Sequence, residues 1–239
     1  NMHEGVVSNE LGMKGRPAVA EDIAVARDIF LAEATGTPVH IAHISTKNAV
    51  DLVRQAKKRG VQVTAEVTPQ HLIFTDEALR TFETRYKMNP PIRSDIHRDA
   101  CVEGLKDGTI DAVVTDHAPH EWEEKDQEFN LAPSGFVGLE TSVGAMLTHL
   151  YHTGIIDLMS LVNVMSTAQA KILNLDAGVI APGKDADLTF LDLDKEWTVD
   201  SSKFYSKGKS TPFDEMIFKG KAAATIVNGK FVMKNGEVL

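Results

Sequence analysis

Short β-branched segments alternate with helical patterns through the first half of this chain, and that alternation limits its fold more than any other feature. The strand-like segments are residues 39–44, 61–67 and 110–115, and the helical ones are residues 17–35, 47–59 and 95–107. A glycine closes each helical pattern, at Gly36, Gly60 and Gly108. Alternating strands and helices of these lengths predict a parallel sheet covered by helices.

The second half of the chain has a different pattern of predicted helices and strands. Two long helices are predicted over 137–152 and 157–173, and beyond Asn174 glycines separate short runs of β-forming residues. We therefore expect an α/β portion over residues 1–174 and a small all-β portion over residues 175–239.

Charge and composition exclude several classes of partner. The 239 residues include 25 Lys and Arg against 34 Asp and Glu, a net charge of −9 that repels nucleic acid. No apolar run approaches the ~20 residues of a membrane span, and the first residues lack the apolar core of a signal peptide. The single cysteine, Cys101, suits a reducing compartment, so the sequence predicts a cytoplasmic protein that binds neither nucleic acid nor membrane.

Two potential metal ligands stand at the ends of predicted strands. His43 ends the first strand and Asp116 ends the third, and catalytic groups in α/β proteins lie at the carboxyl ends of parallel strands. Imidazole and carboxylate together suit a divalent metal such as zinc, and such a carboxylate could also transfer a proton to a leaving nitrogen. The alternative is that His43 is a core histidine and Asp116 a helix cap.

Other histidines near these strand ends are interpreted by position. Side chains alternate along a strand, so His40 and His43 are predicted to face opposite ways, with His43 in the site. His117 is expected to have a packing role. His120 follows the rigid Pro119 and could donate a hydrogen bond to an anionic group of a substrate.

Two loops offer polar groups to a small cyclic amide. Asn89 precedes two prolines that restrain its backbone, and its amide is both donor and acceptor. Ser134 and Gly135 could present backbone groups to a ligand, because glycine allows close approach. Taken alone, a loop like that of Asn89 more often has a structural role, and the motif of Ser134 and Gly135 is a weak signal.

Four motifs and part of the tail carry a family resemblance when they are read in order. They are HIAHIST at 40–46, VTAEVTP at 63–69, KMNPPIR at 87–93, TDHAPH at 115–120 and GVIAPGKDADL at 178–188. Together they resemble the bacterial dihydroorotases of the cyclic amidohydrolase superfamily. The resemblance implies the last strands and helices of a metal-dependent TIM-type (β/α)8 barrel, followed by part of a small β-sandwich. It also implies reversible hydrolysis of (S)-dihydroorotate to N-carbamoyl-L-aspartate in de novo pyrimidine biosynthesis.

The same resemblance implies a role for each site residue. His43 would be a zinc ligand, and Asp116 would be both a zinc ligand and the proton shuttle for a hydroxide held by the metal. The substrate would be bound by the side chains of Asn89 and His120 and by the backbone of Ser134 and Gly135.

The chain departs from the family pattern in three places. Gln70 stands where a second histidine is common, and Ser134 replaces a more usual phenylalanine. The family's His-x-His pair, a bridging carboxylate and another ligand histidine lie N-terminal to the matched region. A complete site would hold two Zn²⁺ ions, so we expect the remaining ligands outside this chain. We expect the chain alone to be inactive, and to form a homodimer or to associate with the missing N-terminal portion.

Two other functions stay open. Allantoinases and hydantoinases share the implied fold, although Met88 before Asn89 and His120 after Pro119 favour dihydroorotase, whose substrate has a carboxylate for His120 to bind. A non-catalytic dihydroorotase-like subunit that only binds a partner enzyme is the other possibility. The retained set of metal-binding and substrate-binding side chains argues against it.

Overall fold

The computed structural model describes residues 2–239, so residue 1 of the predicted α/β portion lies outside it. The chain divides into two compact units. The first runs to Leu139 and includes Ser201–Pro212, and the second comprises Glu140–Asp200 and Phe213–Leu239. Each unit contains segments that are distant in the sequence. The expected boundary between an α/β portion and an all-β portion, at residues 174 and 175, stays a prediction.

Five strands of the first unit form two parallel sheets. The short strands β1 (Met2–His3) and β2 (Gly15–Arg16) pair with each other. The larger sheet has the order β3 (Val39–Ile41), β4 (Val63–Val67) and β5 (Ala112–Val113), with both neighbouring pairs parallel. The predicted parallel sheet is therefore confirmed, although each strand is shorter than its sequence pattern.

Six helices accompany these strands in the described part of the first unit. They are α1 (Val6–Glu10), α2 (Val19–Thr35), α3 (Lys47–Lys58), α4 (Pro69–Ile73), α5 (Asp95–Lys106) and α6 (Trp122–Lys125), with 3-10 turns at Asp76–Thr81 and Thr84–Tyr86. The three predicted helices are α2, α3 and α5. Gly36 ends α2 in the left-handed conformation, with φ 68°, and the Thr46 side chain caps α3 by accepting from the Ala49 N–H at 3.2 Å.

Helix α2 has apolar residues on two faces. Val25, Ile29 and Ala32 are buried. Val19, Ile23 and Phe30, spaced by four and seven residues, are 54%, 64% and 63% exposed. Their spacing indicates the helix correctly, but it marks the exposed face. This exposed apolar stripe is of the kind that another part of a protein commonly covers.

The second unit combines helices with an antiparallel sheet. Its helices are α7 (Ser142–Met146), α8 (Leu158–Val162) and α9 (Ala168–Ile172). A π-helical turn at Leu147–Tyr151 continues α7, and another at Asn163–Thr167 joins α8 to α9. The sheet has the order β6 (Leu188–Thr198), β7 (Ile217–Val227), β8 (Lys230–Lys234) and β9 (Glu237–Val238). This sheet confirms the β-rich character predicted for the end of the chain.

Aromatic rings form the centre of the second unit. Phe218 is fully buried, and its ring centroid lies 5.5 Å from that of Trp197 and 5.6 Å from that of Phe213, both in edge-to-face contact. Among residues 2–239, no helix has the length and apolar character needed to cross a lipid bilayer.

Candidate active site

The chain turns sharply at His43, just beyond β3. His43 has φ 36°, in the left-handed region that residues with a side chain seldom adopt. Its Nδ1 atom is buried and has no hydrogen-bond partner within the described part of the chain. A buried polar atom of this kind is costly for a core histidine. A ring nitrogen without a hydrogen-bond partner has a lone pair that could bind a metal. This observation therefore favours His43 as a metal ligand over His43 as a core histidine.

Asp116 lies beyond β5 and, like His43, has a backbone in the left-handed region. Its φ is 47°, and its side chain is half-buried. The nearest helix that follows, α6, is capped at Glu121, so Asp116 is not a helix cap. The carboxylate is thus available for the chemistry that the sequence predicts, either metal binding or proton transfer.

His43 and Asp116 follow the two outer strands of the same sheet. Because β4 lies between β3 and β5, the backbones are separated by two strand spacings, about 10 Å. Residues 2–239 contain no group of three or more His, Cys, Asp or Glu side chains placed to hold a metal ion. A catalytic zinc commonly has three protein ligands. His43 and Asp116 therefore fit a metal only as members of a larger ligand set, and their role stays a prediction.

A cavity of about 390 Å³ lies beside His43. Its lining includes His40, Asn89, Arg16 and Glu21. His43 lines the same cavity, together with residues of α2 such as Ala24 and Asp28. That His40 and His43 face opposite ways, with His43 in the site, stays a prediction.

His40 is held in this cavity by β4. Its Nδ1 lies 2.7 Å from Thr64 Oγ1, and its Nε2 lies 2.9 Å from Glu66 Oε2. Both ring nitrogens of His40 thus have partners, in contrast to Nδ1 of His43.

A buried ion pair fixes the turn that follows His43. The guanidinium of Arg93, which is 3% exposed, lies 3.3 Å from Glu21 Oε2. Glu21 Oε1 accepts from the backbone N–H groups of Ser45 and Thr46 at 2.7 and 3.1 Å. The pair joins α2 to the His43 turn and to the proline loop. Sequence analysis gave no role to Glu21, whose only local signal is its place in the first turn of α2, or to Arg93, which was noted only as the end of the motif at 87–93.

The loop that carries Asn89 is braced from both sides. The Oδ1 atom of Asn89 accepts a hydrogen bond from the Arg16 guanidinium. Behind the loop, Nε2 of the buried His71 lies 3.2 Å from the Pro90 carbonyl, and Thr68 Oγ1 lies 2.9 Å from His71 Nδ1. Burial lowers the pKa of His71 to about 4, so the ring is neutral and donates from Nε2.

The structure brings three predicted substrate-binding residues together, His120, Ser134 and Gly135. His120 Nε2 lies 3.0 Å from the Ser134 carbonyl, and its Nδ1 lies 3.1 Å from Glu124 Oε2. Gly135 has φ 123°, and a Cβ there would lie 2.8 Å from Ala118 Cβ, so only glycine fits.

The backbone groups of Gly135 already have partners. Its N–H donates to the Lys87 carbonyl at 2.9 Å, and its carbonyl accepts from Lys125 Nζ at 2.9 Å. A substrate contact at Gly135 would therefore use the second lone pair of the carbonyl oxygen.

Two further residues have supporting roles at the Asp116 end of the sheet. His117 Nδ1 accepts from the Gly138 N–H at 3.2 Å, in agreement with the packing role expected for it. The buried Gln70, which departs from the family pattern, donates from Nε2 to the Thr115 carbonyl at 3.2 Å. Both contacts fix the backbone on either side of Asp116.

Comparison with known proteins adds to this geometry. The model of the amidohydrolase family matches residues 2–232. The dihydroorotase of Pelotomaculum thermopropionicum is 52% identical over 98% of this chain and 55% of its own length. That of Citrifermentans bemidjiense is 53% identical over 97% of this chain and 54% of its own length. The chain thus spans about half the length of the curated relatives it matches.

Solved structures show a similar fold. The L-hydantoinase (dihydropyrimidinase) from Arthrobacter aurescens is 35% identical with a TM-score of 0.90, over 94% of this chain and 51% of that one. The dihydropyrimidinase from Brevibacillus agri NCHU1002 is 27% identical with a TM-score of 0.88, over 94% of this chain and 50% of that one.

Proposed function

This chain belongs to the amidohydrolase family, and we propose that it is part of a dihydroorotase. The reaction would be the reversible hydrolysis of (S)-dihydroorotate to N-carbamoyl-L-aspartate, a step of pyrimidine biosynthesis. The observation that carries this proposal is the 52–53% identity to curated dihydroorotases over 97–98% of the chain. Identity to the Arthrobacter aurescens hydantoinase is lower, at 35%.

The proposal includes an architecture for the whole protein. Strands β3, β4 and β5 would belong to a TIM-type barrel, and the sheet β6–β9 to a β-sandwich. Within residues 2–239, β3 and β5 each pair with β4 and with no further strand. A full barrel takes about 250 residues, so the rest of the barrel would lie outside this chain. The whole protein would be a cytoplasmic homodimer or an assembly with that remaining portion.

His43 and Asp116 would be ligands of a zinc centre with two ions in the complete protein. Bound zinc would supply Lewis-acid activation of the ring amide carbonyl and of the attacking water. The buried, unpartnered Nδ1 of His43 supports this assignment. The Asp116 carboxylate would take up the proton of the attacking water and deliver it to the departing ring nitrogen.

The polar groups of the cavity suit an anionic cyclic amide. Because Arg16 donates to Asn89 Oδ1, the amide nitrogen of Asn89 is left as a donor for a substrate carbonyl. Two arginines and two carboxylates line the same cavity, Arg16, Arg93, Glu21 and Asp28. Arg93 pairs with Glu21, so Arg16, beside Asn89, is the cation that would meet the carboxylate of a substrate ring.

Hydrolysis of a neutral ring is the second candidate function, favoured by the TM-score of 0.90 to a hydantoinase. Steady-state hydrolysis of dihydroorotate, dihydrouracil, hydantoin and allantoin by the zinc-loaded, full-length protein separates the two. We expect kcat/KM for dihydroorotate to exceed the others by about 100-fold or more, because rejecting a missing charged group is efficient. A preference for an uncharged ring would overturn the proposal, and turnover of none of the four rings would favour the non-catalytic subunit.

A further inference from the structure

Two buried lysines lie behind the loop that contains Ser134 and Gly135. Lys87 follows the 3-10 turn Thr84–Tyr86, and Lys125 ends helix α6. Each is 3% exposed. Lysine is rarely buried to this extent without a carboxylate partner, and among residues 2–239 neither ammonium group forms an ion pair. Their charge must therefore be stabilised by hydrogen bonds to neutral groups.

Backbone carbonyl groups provide that stabilisation. Lys87 Nζ donates to the carbonyls of Phe129, Asn130 and Ala132, at 2.5, 3.1 and 2.5 Å. These contacts use all three N–H bonds of the ammonium group. The Lys87 Nζ atom also lies 5.3 Å from the centroid of the Phe129 ring, a cation–π contact.

Lys125 continues this pattern along the loop. Its Nζ donates to the carbonyls of Pro133 and Gly135, at 3.0 and 2.9 Å. The two lysines together bind five carbonyl groups in residues 129–135. A loop without ladder partners needs donors for its carbonyls, and here charged donors fill that need.

Helix α6 contacts His120 directly through one residue and indirectly, through the loop backbone, by another. Glu124 contacts the Nδ1 atom of His120 directly, at 3.1 Å. The adjacent Lys125 holds the carbonyls on either side of Ser134, and the Ser134 carbonyl lies 3.0 Å from Nε2 of His120. The orientation of the imidazole therefore depends on the path of the loop backbone.

We propose that Lys87 and Lys125 are positioning residues, which fix the backbone of residues 129–135 so that the Ser134 carbonyl holds His120 in its orientation. This inference rests on the proposed function and on the family resemblance, which implies that His120, Ser134 and Gly135 bind substrate. Because the Ser134 carbonyl holds Nε2 of His120, an anionic group of the substrate would replace Glu124 at Nδ1. The lysines touch no reacting atom, so their effect would be on the binding of substrate.

Lysine-to-methionine variants of the full-length protein test this inference, because methionine keeps most of the buried volume and removes the donors. The variants are Lys87→Met and Lys125→Met. Lys106→Met is the matched control, since Lys106 is exposed and pairs with Glu103 at 2.7 Å. Lys125→Gln retains N–H donors and should show a smaller effect, and it provides a folded protein if Lys125→Met fails to fold.

Two measurements are needed on each variant. Hydrogen–deuterium exchange should become about 10-fold faster in residues 126–137 of the two test variants and stay unchanged in the control. The KM for dihydroorotate should rise about 10-fold, with a smaller change in kcat and with normal zinc content.

Unchanged exchange in the loop would overturn the inference. Faster exchange in a folded variant, with KM for dihydroorotate unchanged, would overturn it as well. If the wild-type protein turned over no dihydroorotate, the proposed function would fail, whereas the exchange data would still decide whether the lysines fix the loop.

Discussion

His43 and Asp116 follow two strands of one parallel sheet, and both have a positive φ in the left-handed region, 36° and 47°. A residue with a side chain in this region costs on the order of 1–3 kcal/mol, and it persists only where its surroundings determine it. At His43 those surroundings include Glu21, which accepts from the backbone N–H groups of Ser45 and Thr46. Backbone strain thus coincides with the two residues proposed to bind metal.

Replacing Asp116 should separate proton transfer from metal binding. Asp116→Asn keeps the size of the side chain and an oxygen atom for the metal, but it does not take up a proton at neutral pH. We expect kcat for dihydroorotate in the full-length protein to fall about 10²–10⁴-fold, with zinc retained. Steady-state kinetics and zinc analysis of the same sample measure both effects. A near-normal kcat with zinc bound would show that Asp116 is not the proton shuttle.

His43 and His149 form a matched pair for testing metal binding. Each has a buried ring nitrogen without a partner in the described residues, Nδ1 in His43 and Nε2 in His149. Of the two, His43 is the one that follows a strand of the parallel sheet. We expect His43→Gln in the full-length protein to weaken zinc binding by at least about 10-fold, and His149→Gln to leave it unchanged. Equal effects of the two changes on zinc affinity would contradict the assignment of His43 as a ligand.

The buried His71 should make the protein sensitive to acid. Burial lowers the pKa of His71 to about 4, from 6.5 in an exposed histidine. The unfolded chain therefore takes up the proton first, and the free energy of unfolding falls as the pH drops from 6.5 to 4. A shift of this size corresponds to about 3 kcal/mol.

Denaturant unfolding of the metal-free protein across this pH range measures the effect. His71→Gln keeps a donor for the Pro90 carbonyl but does not titrate, so its stability should depend less steeply on pH. His3, whose pKa burial also lowers to about 4, should account for part of the remaining slope. An unchanged slope in His71→Gln would count against this account.

The exposed stripe on α2 should make residues 1–239 self-associate when they are produced alone. Val19, Ile23 and Phe30 are each more than half exposed, and β3 and β5 each have one partner strand in the described chain. Light scattering should show species larger than a monomer. Ile23→Lys with Phe30→Lys should reduce their size, whereas Thr37→Lys adds the same kind of charge outside the stripe and should not. A stable, monodisperse monomer of the unchanged chain would rule this out.

The helices and strands that carry the site were predictable because their start and stop signals lie within a few residues of each element. The glycine after α2 and the threonine before α3 mark helix ends within a few residues of sequence. Periodicity did not identify the buried face of α2, since apolar residues with helical spacing lie on both faces of that helix. Alternation along β3 does not extend to His43, because that residue lies beyond the strand in a left-handed turn, so the relative directions of His40 and His43 stay a prediction.

The contacts that support the site could not be predicted from the sequence, because they join residues that are far apart in the chain. Arg93 and Glu21 are 72 residues apart, and Lys87 and the Phe129 carbonyl are 42 apart. Each contact depends on how the chain folds back on itself, and no motif of neighbouring residues records it. A buried lysine that binds only carbonyl groups also lacks a complementary carboxylate that would reveal it.

Lys87 connects the Asn89 loop with the Gly135 loop through both its backbone and its side chain. Its carbonyl accepts from the Gly135 N–H, its ammonium group holds Phe129 and Ala132, and Asn89 follows two residues later. These contacts join the two loops through Lys87, so we expect the loops to move together rather than independently. An insertion or deletion in residues 129–135 would be transmitted to Asn89, so tolerated length changes in these two loops should occur together or not at all.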